Sequence, residues 1–476
     1  MTLGSIGIFI AGAILVRLIP ARWRGWALMV GSVVAIYWLQ PFSVIRGVDF
    51  ALPTATLALA VIGWLATRPP PQPDAPASLA GEDRITLLVL AGLVAGLALT
   101  GDLLRLLPSP PPSIVDLALV MFAVTAIVVT LGALIPDRNR ALWILIGLIV
   151  ALFVVQKAVP LHIALAGWLR AQAGRPLTLA GVSDIGWLGF SYVAFRLIHT
   201  LRDRQMGKLP ALSLREYLTY LIFFPAYTAG PIDRAERFVK DFRAMPSLDA
   251  PRAVEGAGRI AAGLVKKFVI ADSLALFALN ETLAGQARTA PDVWLLLYAF
   301  AFRLYFDFSG YTDIAIGIGR LYGINLPENF NLPYLKRNIT LFWQSWHMTL
   351  STWARLYVFT PLSRALLMRQ PRPSPALVVL LSQVATMLVI GLWHGITANF
   401  ALWGMWHAVG LFAHKQYTDR TRAFYQRLES RPALRRLAAA GGILVTFHFV
   451  ALGWVWFALP DPALSARVLA RLFGAG

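Results

Sequence analysis

Seven histidines carry most of the proton-transfer chemistry this sequence offers: His162, His199, His347, His394, His407, His414 and His448. A neutral imidazole, with an ordinary pKa of about 6.5, can take the proton of a hydroxyl near neutral pH. Other routes are closed. There is no cysteine, which removes thiol nucleophiles, disulfides and thiolate metal sites. No Gly-x-Ser-x-Gly elbow, phosphate-cradling Gly-x-x-x-x-Gly-Lys loop or His-Glu-x-x-His zinc helix is present. Two histidines alone are too few to hold a metal, so no metal is expected and general-base chemistry remains.

The histidines differ in their surroundings. His162, His199 and His414 fall near predicted helix ends, where an interfacial or headgroup contact accounts for them. His448 lies in the last apolar span and reads as a packing histidine. His407 follows a helix break and has a weaker claim to a direct role. His347 and His394 sit in segments that cannot be ordinary membrane spans.

The first such segment, Ile339–Ala354, carries no Asp, Glu, Lys or Arg but has only 16 residues. A span needs about 20, so a re-entrant or interfacial helix is expected. Trp346, Thr349, Leu350, Trp353 and Tyr357 recur along it at helical spacing, a stripe that reads as packing or an interface belt. The second segment, Ala376–Ala413, runs 38 residues without Asp, Glu, Lys or Arg. As one helix it would extend about 57 Å, nearly twice the hydrocarbon thickness. It must break, and Gly395-Ile-Thr-Ala-Asn399 is the natural place, with His394 just before it. Irregular backbone at membrane depth survives where it is buried in protein or lines a wet cavity. A third segment, Val293–Gly319, places Arg303, Asp307 and Asp313 in apolar sequence. Arg303 and Asp307 are four apart, on one helical face, and read first as a structural ion pair and second as part of a substrate path.

Composition supplies the setting. Of 476 residues, 58% are hydrophobic and 14% charged, with mean hydropathy +0.64. A soluble domain carries roughly a quarter charged residues, so the chain lacks the polar surface to coat a soluble fold. The first apolar run, Leu3–Ile19, has no basic region before it and reads as a span rather than a cleaved signal. The net charge of +19 suggests nucleic acid at first sight. The basic residues, however, sit in short loops between apolar runs, where Lys and Arg mark the cytoplasmic side. Eight lie between Asp233 and Lys267 and seven between Lys415 and Arg436. The loops near Pro108–Ser113, Pro160–Thr178 and Glu281–Asp292 are poorer in them. Alternation then puts the N-terminus outside and the basic loops inside.

The expected fold is all-α, with about 11–13 transmembrane spans plus re-entrant or broken helices. The expected divisions are N-terminal helices over 1–67, a proline-rich cytoplasmic linker over 68–84, variable helices over 85–185, a core over 186–460 and a tail over 461–476. No internal repeat of the transporter kind is visible.

Six blocks, in order, resemble the membrane-bound O-acyltransferase family, in its bacterial branch. They are Phe223-Phe-Pro-x-x-x-x-Gly-Pro231, Gly263-Leu-Val-Lys-Lys-Phe-Val-Ile-Ala-Asp272, Tyr305-Phe-Asp-Phe-Ser-Gly-Tyr-Thr-Asp313, Leu326-Pro-Glu-Asn-Phe-Asn-Leu-Pro-Tyr-Leu335, Phe342-Trp-x-x-Trp-His347-x-x-Leu-Ser-Thr-Trp353 and Leu392-Trp-His-Gly395. The resemblance spans about Gly189 to Phe457. It implies that His394 is the catalytic base and that His347 assists it. It also implies a funnel or tunnel through the bacterial plasma membrane. A thioester donor, acyl-CoA or the phosphopantetheine of an acyl carrier protein, would arrive from the cytoplasm, with no bound cofactor. The acceptor would be a hydroxyl of a cell-surface glycan or of an extracytoplasmic relay protein. Asn331, Ser351 and Asn399 are nearby candidates for polar support, with Asp307 and Arg303 as further ones. Two departures leave donor and acceptor open. Relatives often carry arginines where this chain has Gln344 and Ser345, and Arg-Asp where it has Ala354-Arg355-Leu356. The rival readings are a transporter or flippase without acyl chemistry, which explains the spans and buried charges but not the histidine blocks, and a non-catalytic membrane subunit that anchors a partner.

Overall fold

The computed structural model describes residues 2–69, 80–100, 107, 112–113, 115, 137–245, 248–428 and 430–475. Most of the linker expected at 68–84, and nearly all of the apolar run Ile114–Ile135, lie outside them. The described residues are helical with no strand, and the chain is an all-α, multi-pass membrane protein. Among the described residues, five helices are long and apolar enough to cross a bilayer: Val48–Thr67, Gly81–Thr100, Arg138–Lys157, Pro375–His394 and Pro432–Ala458. The others are shorter or carry more charge. Helix Gly81–Thr100 begins inside the expected linker, so that linker ends by Ala80.

The chain forms two compact units, one of residues 1–257 and 315–326, the other of 258–314 and 327–476. In the first unit the helices are α1 (Leu3–Leu18), α2 (Ala21–Trp38), α3 (Val48–Thr67), α4 (Gly81–Thr100), α5 (Arg138–Lys157), α6 (Val159–Gln172), α7 (Phe190–Gln205), α8 (Leu214–Ile222) and α9 (Ala235–Ala244). Helix α8 starts on a capping box: Ser213 accepts from the Glu216 amide while the Glu216 carboxylate accepts from the Ser213 amide. It stops after nine residues at Phe223-Phe-Pro, where proline cannot continue the ladder. The orphaned carbonyls are met by Arg196, which is 1% exposed. Its guanidinium donates to Leu221 O at 2.9 Å and Ala226 O at 2.8 Å.

Helix α10 (Ala250–Leu264) begins in the first unit and ends in the second, and α11 (Ala290–Tyr322) does the reverse. Between them the chain winds through a π-helical turn, Val265–Ala271, and two short helices. The second unit continues with α12 (Ile339–Trp343), α13 (Met348–Ala354), a π-helical turn Arg355–Phe359, α14 (Thr360–Leu367), α15 (Pro375–His394), α16 (Ala398–Leu428), α17 (Pro432–Ala458) and α18 (Pro462–Leu472).

Two glycine pairs set the close approaches in this unit. A Cβ on Gly263 would meet Gly310 O at 2.6 Å, and one on Gly310 would meet Gly263 O at 2.8 Å. That mutual contact brings the end of α10 onto α11 and aligns their charges. Lys266 pairs with Asp313 at 2.6 Å and Lys267 with Asp307 at 2.5 Å, while Arg259 bridges Asp313 and Glu328. This corrects the expected Arg303–Asp307 pair: Asp307 reaches a lysine on another element, and Arg303 is exposed. The second pair joins α15 to α16. A Cβ on Gly391 would collide with Phe400 O, and one on Gly404 would meet Met387 O at 2.6 Å. Small residues let helix backbones touch without a side chain between them.

Candidate active site

The break expected in Ala376–Ala413 is present: α15 ends on His394, and α16 begins at Ala398. Gly395 is extended, a conformation open to any residue, so its reason is space: a Cβ there would lie 2.8 Å from the Phe400 ring. His394 thus sits at the tip of a tight antiparallel hairpin. The tip is anchored by Asn399, whose amide donates to Leu459 O at 2.6 Å and Ser465 Oγ at 3.0 Å. Asn399 is therefore an anchor behind the hairpin rather than a group facing a reactant.

The segment Ile339–Ala354 is not one short helix. It is two, α12 and α13, broken at Gln344–His347. His347 occupies the N-cap of α13 with φ 41° and ψ 54°, the left-handed region that non-glycine residues rarely adopt. Such a conformation costs about 1–3 kcal/mol and persists only where the surroundings impose it. The surroundings here are the loop before α12. Asn329, fully buried, accepts from the Met348 amide at its carbonyl (2.9 Å), and its Oδ1 accepts from the Thr349 amide (3.2 Å) and hydroxyl (2.7 Å). It thereby caps α13 in place of His347, whose side chain is freed to point elsewhere. The Asn331 amide donates to Ser345 O at 3.0 Å, and its side chain is exposed. The polar support expected at Asn331 is thus supplied by the asparagine two residues earlier.

The two elements bring His347 and His394 onto one small cavity of about 40 Å³. Its other walls are apolar or aromatic, among them Phe308, Trp343, Trp346, Trp403 and Phe457. His347 is 2% exposed, its ring 4.7 Å from that of Phe308 and 5.9 Å from that of Trp393, and neither ring nitrogen has a hydrogen-bond partner among the described residues. A buried polar group left unpaired costs about 1–3 kcal/mol. Strain and an unmet polar group therefore coincide at one residue, as they do at functional sites. His394 is half-buried, with its ring 4.7 Å from Phe457 and 5.6 Å from Trp403. The indole N–H groups of Trp343 and Trp454 point away, to His407 Nδ1 (3.3 Å) and the Tyr334 hydroxyl (3.1 Å). Among the described residues, the two imidazoles are the only titratable groups on the cavity wall.

A cavity of 40 Å³ holds a water molecule or a reacting functional group, not a substrate. Beside it lies a chamber of about 480 Å³ that shares the walls Trp343 and Ile390. Its polar lining is Thr340, Gln344, Ser351, Thr352, Arg355, Gln383 and Thr386. Ser351 therefore faces this chamber, where its hydroxyl also donates to Trp346 O at 3.2 Å. Asp307 and Arg303 line neither space. Trp346 and Leu350 of the aromatic stripe line the cavity, while Trp353 does not.

The remaining histidines have other employment. His407 is fully buried against Trp403 and accepts from Trp343. His448 lies 2.9 Å from the Tyr298 hydroxyl and 2.8 Å from Leu444 O. His162 and His199 are buried rather than interfacial, which corrects the expectation for both. His199, Asp203 and Glu236 lie close enough to hold a metal ion. Arg234, however, is paired with both carboxylates, and the Ala235 amide donates to His199 Nε2 at 3.2 Å. The arrangement is a salt-bridged corner in which Arg234 holds both carboxylates, while Glu236 Oε2 has no hydrogen-bond partner among the described residues.

Comparison with known proteins gives this geometry a lineage. The chain is 34% identical over 292 residues to the probable alginate O-acetylase of Pseudomonas aeruginosa, covering 61% of this chain and 52% of that protein. It is 32% identical over 290 residues to the teichoic acid D-alanyltransferase of Streptococcus thermophilus, covering 58% and 69%. It is 33% identical over 261 residues to the peptidoglycan O-acetyltransferase of Helicobacter pylori, covering 54% and 46%. The chain thus spans about half the length of the alginate relatives. Residues 142–452 match the membrane-bound O-acyltransferase family, and the chain belongs to it.

Proposed function

We propose that this protein transfers an acyl group from a thioester donor to a hydroxyl of a cell-envelope polymer or of an extracytoplasmic relay protein, within the bacterial plasma membrane. The observation that carries the reading is the cavity shared by His347 and His394. His394 accepts the proton of the acceptor hydroxyl, whose oxygen attacks the thioester carbonyl. A ring N–H of His347 donates to the oxyanion that forms. Collapse of the tetrahedral intermediate expels the thiolate, which takes the proton from His394, leaving an ester and a free thiol. The aromatic walls keep out the water that would hydrolyse the thioester.

The neighbouring chamber suits the pantetheine arm of acyl-CoA or of an acyl carrier protein. Its side-chain amides match the arm's amides, and Arg355, its one charged lining residue, matches a phosphate. The relatives named for alginate, teichoic acid and peptidoglycan support a polymer acceptor.

The test is turnover by the purified protein with a thioester donor and a polymer acceptor. His394→Ala should abolish ester formation while the protein remains folded in the membrane. Product at the wild-type level would overturn the assignment. Movement of a lipid-linked substrate across proteoliposomes without ester formation would favour a transporter instead.

A further inference from the structure

The second unit holds another, larger space: a groove of about 710 Å³ between α16 and α17, rimmed by Arg337–Ile339. Small residues open it. A Cβ on Gly441 would meet nothing within 4 Å, whereas one on Gly442 would meet Arg337 O at 2.5 Å. Gly442 lets the Arg337 backbone lie against α17, and Gly441 leaves the space beside it empty. Val445 and Phe449, one and two turns further along α17, continue the apolar wall.

The groove has a direction. Most of the polar lining residues lie at one end, Tyr417, Thr418 and Tyr425 late in α16 and Arg435 early in α17, with Thr446 the exception further along α17. Arg337 joins them from the rim, and His414 Nδ1 sits 3.0 Å from the Thr340 hydroxyl. Tyr417 and Tyr425 share a 3.0 Å hydroxyl contact. Neither Arg337 nor Arg435 takes part in any ion pair among the described residues, and the nearby carboxylate of Asp419 is held by Lys415. From Arg435 to Phe449 the wall rises about 21 Å at 1.5 Å per residue, more than half the roughly 30 Å hydrocarbon core. One end is therefore cationic and hydroxyl-rich, and the other, apolar but for Thr446, reaches one leaflet's depth along a membrane-crossing helix.

We propose that this groove binds an anionic glycerophospholipid, with its phosphate between Arg337 and Arg435 and an acyl chain along Gly441, Val445 and Phe449. Guanidinium forks match phosphate oxygens, and basic pockets between transmembrane helices take acidic lipid headgroups. The proposal is independent of the acyl-transfer reading, because neither histidine of the small cavity lines the groove.

The test uses the full chain, delipidated in mild detergent and exposed to equal amounts of phosphatidylglycerol and phosphatidylcholine. Native mass spectrometry then counts the lipids retained. Phosphatidylglycerol should be retained roughly tenfold more strongly, as two phosphate-facing arginines imply. The double substitution Arg337→Gln, Arg435→Gln should erase that preference. Gly441→Leu, which fills the groove and leaves the charges in place, should reduce retention. Arg364→Gln with Arg369→Gln, a control at the C-terminal end of α14, should leave the preference intact. Equal retention of the two lipids by the unmodified protein would overturn the proposal without recourse to any variant. Loss of preference in the control would overturn it too, by showing a general surface charge effect. Displacement of the lipid by inorganic phosphate or by coenzyme A at similar concentrations would assign the groove to a soluble anion.

Discussion

At the scale of the residue, His347 is held in a conformation it does not favour and with both ring nitrogens unpaired in the interior. A residue serving only to fill space would have neither cost. The group that enforces this state is Asn329, through three hydrogen bonds to the first turn of α13. Replacing Asn329 by leucine removes a helix cap, at about 0.5–2 kcal/mol, and lets the His347 turn relax toward ordinary helix. The expected result is a modest fall in thermal stability with a loss of turnover at least as large as that of His347→Ala. Asn329→Asp, which keeps the acceptor oxygen, should retain more activity than Asn329→Leu. If Asn329→Leu turned over at the unmodified rate, the enforced turn would have no part in the chemistry.

The sequence makes the break at His394 legible through length alone, while the role of base is implied only by the family resemblance. An uncharged run too long for one helix has to break, and the break has few places to fall. The turn at His347 is not legible in the same way. Left-handed backbone is signalled by glycine or asparagine, and Gln344-Ser345-Trp346-His347 has neither. Its cause lies in an upstream loop, whose asparagine at 329 becomes distinguishable from that at 331 only in three dimensions. The aromatic stripe is ambiguous for a related reason. Helical spacing tells which residues share a face, but not that Trp346 and Leu350 meet an empty space while Trp353 does not.

At the scale of the element, the charged residues in α11 are explained by a glycine contact. Gly263 and Gly310 let two helices touch, and the touching aligns Lys266 with Asp313 and Lys267 with Asp307. Spacing along one helix pointed to Arg303 because a one-dimensional pattern sees only partners on the same helix. Gly310→Leu should force the elements apart and break both pairs at once. The expected loss is about 1–3 kcal/mol, the usual range for overpacking, read as a clear fall in detergent-solubilised thermal stability, against a small effect for Gly258→Leu, where a Cβ would meet nothing within 4 Å. Equal effects at the two positions would remove the contact from the explanation.

The loop before α7 is held by one buried ion pair. Arg170 grips Asp184 bidentately, donating from Nε at 2.6 Å and from its terminal nitrogen at 2.8 Å, with both residues buried. The guanidinium holds the Asp184 carboxyl below its ordinary range. A carboxylate depressed in the folded state contributes stability above its unfolded pKa of about 3.9 and loses it as pH falls through the lower folded value. Asp184→Asn should therefore unfold earlier than the unmodified protein at pH 7, and the gap should narrow below about pH 4. A gap unchanged with pH would mean that charge is not what holds the loop.

At the scale of the whole molecule, a net charge of +19 is spread over loops that alternate between basic and less basic. If that alternation records orientation, the stretch Lys415–Arg436 lies in the cytoplasm and the loop Glu281–Asp292 outside. The same assignment would place the cationic end of the α16–α17 groove at the cytoplasmic leaflet, where acidic lipids give the negative surface potential. The chain has no cysteine, so single cysteines can report sidedness without background. Arg288 and Arg422 are both exposed and sit in these two stretches, Arg422 on the last turns of α16. In intact cells a membrane-impermeant maleimide should label Arg288→Cys, and should label Arg422→Cys only after permeabilisation. The reverse pattern would invert the molecule and send the thioester to the wrong side of the membrane. Labelling of both positions in intact cells would break the alternation on which the orientation rests.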